Sequence, residues 1–281
     1  METNRRFRWT GLVLAACLAA PSAGQAAPQL LGADYGGRLY DVDPATGLAS
    51  NPRDTGIDGL AGIAFSADGV LYGLSTFGAS VESSLFTIDP ATGTASLVGE
   101  VLSNGWDIAE GDLAFDPTSG QLLAVGALGP TEPYLIEVDR WTGAGTPIAV
   151  LPRDWSLSAM AFDECGRLFV LDTVAEELRE LDPATAAVLS SVPVALQGSV
   201  AGMAFDPADG TLYVADGEVD GADALWSLDP ATGSLTLIGH TGLQDGLAGL
   251  TIVPEPAGVL LLCAGASLLF RRAHPRAPKM T

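Results

Sequence analysis

Between residues 29 and 253 the apolar positions fall in short runs, each ended by a cluster of Gly, Asp and Pro. Leu71-Tyr72, Leu168-Phe169-Val170-Leu171 and Leu212-Tyr213-Val214 are runs of one kind; Leu85-Phe86-Thr87-Ile88 and Leu225-Trp226-Ser227-Leu228 are runs of another. Runs this short, rich in aromatic and β-branched residues and bounded by turn formers, predict strands rather than helices. The turn phrases repeat. DPATG stands at 43–47, 89–93 and 229–233, with DRWTG at 139–143 and DPATA at 182–186, so the leading Asp residues lie 46, 50, 43 and 47 apart. A second phrase, AFSADG at 64–69, AFDPTSG at 114–120, AFDECG at 161–166 and AFDPADG at 204–210, sets Phe65, Phe115, Phe162 and Phe205 at intervals of 50, 47 and 43. Ile252, in LAGLTIV, falls 47 residues further on. Each phrase is a hairpin turn: Asp bonds its own backbone two residues on, Pro presets φ, and Gly supplies the left-handed residue.

One period therefore holds four strands. They are a Gly/Ala-rich strand ending in Phe, an LY-type strand, an L-x-x-I/L-D strand, and a last one such as Ala95–Val98 or Leu235–Ile238. A four-stranded unit of this length matches a β-propeller blade, whose inner strand meets a crowded axis that suits Gly and Ala. The pattern opens in mid-unit, with Leu30–Tyr35 and Leu39–Val42 as second- and third-type strands, and LAGLTIV (247–253) is a first-type strand standing alone. Set side by side, these pieces complete a fifth unit, and the 225 residues from 29 to 253 divide into five of 45. The fold class expected is all-β, a five-bladed β-propeller over 27–253 closed by pairing of its N- and C-terminal strands. An open β-solenoid explains the repeats but not the matched half-units. The phrases are similar to those of secreted bacterial propellers with L-Y-x-x-D-P-x-T-G repeats, several of them families of unknown function, which implies a fold and no activity.

The two ends read as addresses. Arg5, Arg6 and Arg8 precede an apolar stretch from Gly11 to Ala20, and Gly24-Gln25-Ala26 fits a signal-peptidase site between Ala26 and Ala27. Residues 1–26 are thus expected to be a signal helix for the general secretory route. Leu14-Ala15-Ala16-Cys17 resembles a lipobox, but the apolar run continues past Cys17, which favours a cysteine inside the signal. At the other end Pro254-Glu255-Pro256 is followed by a charge-free run from Ala257 to Phe270 and then by Arg271-Arg272. Fourteen helical residues reach only ~21 Å against a hydrocarbon core of ~30 Å, so length alone does not make this a span. The order of parts decides: residues 254–281 resemble the PEP-CTERM sorting signal of Gram-negative bacteria. That resemblance implies Pro254, Glu255 and Pro256 as the recognition motif and Arg271 and Arg272 as the cytoplasmic stop. It also implies a membrane-tethered precursor with a hydrophobic C-terminal helix, an exosortase as processing partner, and delivery to the cell surface or extracellular matrix.

Charge narrows the rest. The 281 residues carry 34 Asp+Glu against 13 Lys+Arg, and between Ala27 and Pro254 the balance is 32 acidic to 6 basic. That excludes a phosphate-binding surface for nucleic acid and argues against an anionic membrane surface, leaving the C-terminal helix as the membrane contact. Cys165 is the one thiol of the body, so no internal disulfide is expected, and nothing cationic beside it in sequence activates it. His240, the body's one histidine, is expected in a surface turn after Leu235–Ile238. No HExxH, CxxC, GxSxG or P-loop pattern is present.

Two acidic groups remain as candidate sites. Asp216, Glu218 and Asp220, with Gly221, have the spacing of the first half of a calcium loop, but Ser227 stands where the closing acid belongs. A solvated acidic hairpin accounts for them equally well, and calcium is the one cofactor with any candidate ligands. Asp58, Asp107, Asp112, Asp154 and Asp245 lie in the loops entering the first-type strands and are expected at a channel mouth, either to hold a cation or a cationic or polyhydroxy ligand or as ordinary polar rim residues, with Trp106 and Trp155 near the same edge to stack on a sugar or to pack between blades. Three readings of function follow. The favoured one is a non-enzymatic exported binding module for a polysaccharide or surface protein. The others are a carboxylate- or calcium-dependent enzyme of lactonase or glycan-cleaving type, and a structural matrix spacer.

Overall fold

The computed structural model describes residues 29–76, 83–101, 108–128, 132–196, 200–216, 223–244 and 246–254. These form twenty strands in five antiparallel sheets of four, and among the described residues there is no helix. Blade 1 is built from β1 (Leu30–Ala33), β2 (Arg38–Val42), β3 (Ala49–Asp54) and β20 (Gly249–Ile252), in the order β20-β1-β2-β3. Blade 2 holds β4 (Leu60–Phe65), β5 (Leu71–Ser75), β6 (Ser84–Ile88) and β7 (Ala95–Glu100). Blade 3 holds β8 (Ile108–Phe115), β9 (Leu122–Leu128), β10 (Glu132–Val138) and β11 (Gly145–Val150). Blade 4 holds β12 (Leu157–Phe162), β13 (Leu168–Asp172), β14 (Glu177–Leu181) and β15 (Val188–Pro193). Blade 5 holds β16 (Val200–Asp206), β17 (Thr211–Asp216), β18 (Ala224–Leu228) and β19 (Leu235–His240). The expectation of an all-β, five-bladed propeller is borne out. The signal and the hydrophobic tail, with Ala26, Ala27, Glu255, Pro256, Arg271 and Arg272, lie outside the described residues.

In blade 1 the last strand pairs antiparallel with the first, Leu30 opposite Ile252 and Ala33 opposite Gly249. The Val253 amide donates to the Gln29 carbonyl at 2.8 Å, and Pro254 follows at once. The inner strands β4, β8, β12, β16 and β20 touch in a ring around the axis. Each of the five blade-to-blade interfaces has its own apolar cluster. Tyr72, Leu85, Leu113 and Ile136 meet between blades 2 and 3, for example, and Phe169, Leu171, Met203 and Val214 between blades 4 and 5. At roughly 1.5–3 kcal/mol for each fully buried large apolar side chain, these interfaces hold the ring without a disulfide.

The repeated turns make the bonds their sequence promised. The amides of Ala45, Ala91, Trp141, Ala184 and Ala231 donate to Oδ1 of Asp43, Asp89, Asp139, Asp182 and Asp229 at 2.8–2.9 Å. These backbone bonds hold the Asp43, Asp89 and Asp139 carboxyls below their ordinary value. A second role was not visible in sequence. Gly47, Gly93, Gly143 and Gly233, which end the turns between third and fourth strands, press on the outer strand of the preceding blade. A Cβ on Gly143 (φ 81°) would fall 2.7 Å from the carbonyl of Gly99, and one on Gly47 2.6 Å from the carbonyl oxygen of Gly239. The fourth blade carries Ala186 here, at φ 58°, with its methyl buried in the cluster between blades 3 and 4. One local expectation is corrected: His240 closes β19 opposite Ala224, because outer-strand pairing runs two residues past Ile238.

Gly210, at φ 79° with nothing near its missing Cβ, is the control for that contact. Gly210→Ala is expected to lower the unfolding midpoint by about 2–4 °C, the effect of about 1 kcal/mol of left-handed strain in a domain of this size. Gly143→Ala, with the same φ but a neighbouring backbone in the way, is expected to lower it by at least about twice as much. Thermal unfolding followed by circular dichroism checks this, and equal shifts would contradict the contact.

Candidate functional site

The axis is built from one register position repeated in five blades: Gly62, Asp112, Ala159, Gly202 and Gly249. Four of the five are Gly or Ala because the inner strands stand too close for more. A Cβ on Gly202 would lie 2.9 Å from the backbone of Gly249, and one on Gly249 3.0 Å from Gly62 Cα. In four blades the ladder between first and second strands is shifted just before this position, an irregularity of the kind that bends a strand locally. The inward edge of each inner strand presents backbone amides with no strand to pair.

Asp112 answers them. Its side chain is fully buried. Oδ1 accepts from the Leu113 amide at 2.8 Å and Oδ2 from the Met160 amide at 2.9 Å, while the Met203 amide also favours the charged form. Oδ1 occupies space that a side chain on Gly62 would fill, with only 2.6 Å to the position of its Cβ. Burial pushes the Asp112 carboxyl well above the usual carboxylate range, against the three amides. Asp112 was expected on a channel rim with Asp58 and Asp154. The structure places it in the interior, because its strand position points along the axis, whereas Asp58 and Asp154 sit exposed in the turns before β4 and β12. Asp107 and Asp245 lie outside the described residues. Among the described residues no three His, Cys, Asp or Glu side chains stand together as a metal site. Asp216 ends β17 opposite Val200, while Glu218 and Asp220 lie outside the described residues. Trp106 is outside them too, and Trp155 already stacks on Arg179, whose guanidinium is 4.2 Å from the ring centroid and pairs with buried Asp172 at 3.0 Å.

The cavity opens at the other end of the axis. On the turn face, beyond the Asp112 level, a bowl of about 600 Å³ is walled by Phe65, Phe115, Phe162, Phe205 and Ile252, with Pro254 at its edge. Alternation along the inner strands turns the amides of these wall residues toward the axis, as those of Leu113 and Met160 are one tier deeper. The Phe65 amide is held by Thr251 Oγ1 at 3.4 Å. The bowl is thus an apolar concavity with backbone donors in its wall, closed at its floor by the Asp112 tier.

Blade 3 breaks the repeat at the bowl's edge. Where the other blades have Pro-Ala after the turn Asp, it has Arg140-Trp141. The Asx bond is unchanged, but the indole is 70 % exposed. The Arg140 guanidinium lies 4.4 Å from the indole centroid and reaches Asp68, in the β4–β5 turn of blade 2, at 2.9 Å. Beside them is a second concavity of about 420 Å³, lined by Ser119, Gln121, Glu137, Arg140, Trp141 and Thr146. The pair belongs to no catalytic motif, and its signal in the sequence is DRWTG standing among DPATG.

No family model and no curated protein matches the chain. Solved structures do. A nidogen–laminin complex is similar at 13 % identity and a TM-score of 0.55, over 81 % of this chain and 98 % of that one. A symmetrical protein of de novo evolutionary emergence is similar at 19 % and 0.51, over 81 % and 100 %. A periplasmic gluconolactonase of Pseudomonas aeruginosa follows at 17 % and 0.45, over 82 % and 69 %, too distant to bear on chemistry. The chain is of the β-propeller class, and the likeness extends to the fold alone.

Asp112 has a testable pH signature. Its folded pKa is raised above its unfolded value, so its stabilisation is complete below about pH 4 and is lost as pH rises toward the folded value. Asp112→Ala leaves amides without an acceptor and is expected to cost about 2 kcal/mol or more at pH 4.5. The gap to wild type is expected to narrow toward pH 8. Melting temperatures of both proteins across that range check it, and a gap that widens with pH contradicts the assignment.

Proposed function

We propose that this chain is an exported propeller that binds a polysaccharide without cleaving it, sorted to the cell surface or the extracellular matrix by its C-terminal tail. The observation that carries the binding reading is the bowl of about 600 Å³ on the turn face. Its apolar walls suit the C–H faces of sugar rings, and its backbone amides suit hydroxyl and acetal oxygens. Behind it the axis is shut at Asp112, so a ligand seats in the bowl rather than threading the ring.

The sorting reading rests on sequence: the signal before Ala27, the Pro254-Glu255-Pro256 motif, the apolar run 257–270 and Arg271-Arg272. In this reading the pairing of β1 with β20 is the clasp that closes the ring, and the motif begins two residues after the clasp strand ends. Exosortase cleavage at or after Pro254 therefore leaves every strand in place. The acidic body then faces an aqueous or matrix environment, its charge opposing self-association.

Protein recovered from fractions of the native host tests both halves. Its intact mass is expected to correspond to a chain beginning near Ala27 and ending within Pro254–Pro256. A species that retains Arg271-Arg272 contradicts the processing. The same protein is expected to be retarded in gels containing its polysaccharide while releasing no new reducing ends from it. Release of product would move the assignment to a glycan-cleaving enzyme.

A further inference from the structure

The repeated turn does not require Trp141. In four of the five blades the corresponding residue is Ala (Ala45, Ala91, Ala184 and Ala231), and its only structural task is to donate its amide to the turn Asp. Trp141 performs that task at the same 2.8 Å and then leaves a 70 % exposed indole on the turn face. A large apolar ring held in the open is a feature that binding surfaces have and turns do not need.

The ring is also oriented. Arg140 replaces the Pro of the other turns, stacks at 4.4 Å on the indole and is anchored to Asp68 of the neighbouring blade at 2.9 Å. That ion pair spans two blades and sits with Arg140 only 27 % exposed. The cation thereby backs one face of this indole shelf and has its own charge answered. Alongside the shelf, Gln121 Nε2 donates to Glu137 Oε1 at 3.1 Å, and Ser119 and Thr146 add hydroxyls to the same concavity. An aromatic platform beside a hydrogen-bonded amide–carboxylate pair and two hydroxyls matches the two-sided chemistry of a pyranose, with C–H groups on one face and hydroxyls around the edge. The carboxylates of Asp68, Asp116, Glu137 and Asp139 around it, against one paired guanidinium, disfavour an anionic sugar. Ser119, Gly120 and Arg140 line both this concavity and the bowl, so a chain lying on the shelf leads directly into the bowl.

We propose that the Arg140–Trp141 shelf is a binding subsite for a neutral hexopyranose unit of a polysaccharide whose neighbouring units occupy the bowl. The inference rests on the polysaccharide-binding reading above and places its specificity in one blade.

The test uses the full chain in affinity electrophoresis against a panel of soluble polysaccharides: a β-1,4-glucan, a β-1,3-glucan, a β-galactan, and alginate as the anionic member. Wild type is expected to be retarded by at least one neutral member and not by alginate. Trp141→Ala, which restores the residue of the other turns, is expected to keep the wild-type melting temperature and to lose about tenfold or more in affinity. Trp141→Phe is expected to fall between the two. If Trp141→Ala binds as tightly as wild type, the shelf is overturned and polysaccharide binding through the bowl stands. If no neutral member retards the wild type, or only alginate does, the neutral-glycan assignment itself is overturned.

Discussion

Five inner-strand edges converge on one line, and each brings amides that no strand can satisfy. That constraint organises the centre of this protein. At the narrowest level, space for side chains is almost nil, so three blades use Gly and one uses Ala. The one position left for a larger residue holds a carboxyl group, which gathers amides from blades 3, 4 and 5. A buried charge is costly unless hydrogen bonds surround it, and an unpaired buried amide is costly as well. Asp112 gives those amides an acceptor, and its burial there outweighs them and raises its own pKa. Its placement shuts the axis and turns the remaining depth of the channel into a one-ended bowl.

The same economy explains the acidity. A body with 32 acidic residues against 6 basic ones suggests a cation or a cationic partner. Many of those carboxylates are instead at work in turns. Five Asp residues head the turns between third and fourth strands, and Asp116, Asp163 and Asp206 head those between first and second strands, accepting the amides of Thr118, Cys165 and Ala208 at 2.8–2.9 Å. Arg179 and Arg167 are drawn to buried Asp172 and Asp163. Composition therefore reports how the hairpins are closed more than what the protein binds.

The architecture was legible because turn chemistry is local. Asp, Pro and Gly at fixed offsets dictate a hairpin whatever lies around them, and their pitch reveals the four-stranded unit. The candidate site was much less legible. Whether Asp112 lies on a rim or on the axis depends on where a strand position points once five blades are assembled, and nothing within a few residues of it says so. The bowl is equally non-local: its wall is one residue from each of five units, Phe65 to Ile252, spread over most of the chain. The glycines of DPATG carried half their meaning in sequence, as left-handed turn residues. Their contact with the preceding blade appears only in three dimensions. Trp141 was readable in principle, since a repeat that departs from itself at one exposed position marks that position without any knowledge of the fold.

Residue-resolved hydrogen exchange is the most direct test of the axial assignment. The amides of Leu113 and Met160, bound to the Asp112 carboxylate, and that of Met203, directed at it, should exchange only as fast as the whole domain unfolds. Those of Phe115, Phe162 and Phe205, one tier nearer the open bowl, should exchange faster. Comparable fast exchange in both tiers would mean that Asp112 does not close the axis, and the one-ended bowl would lose its floor.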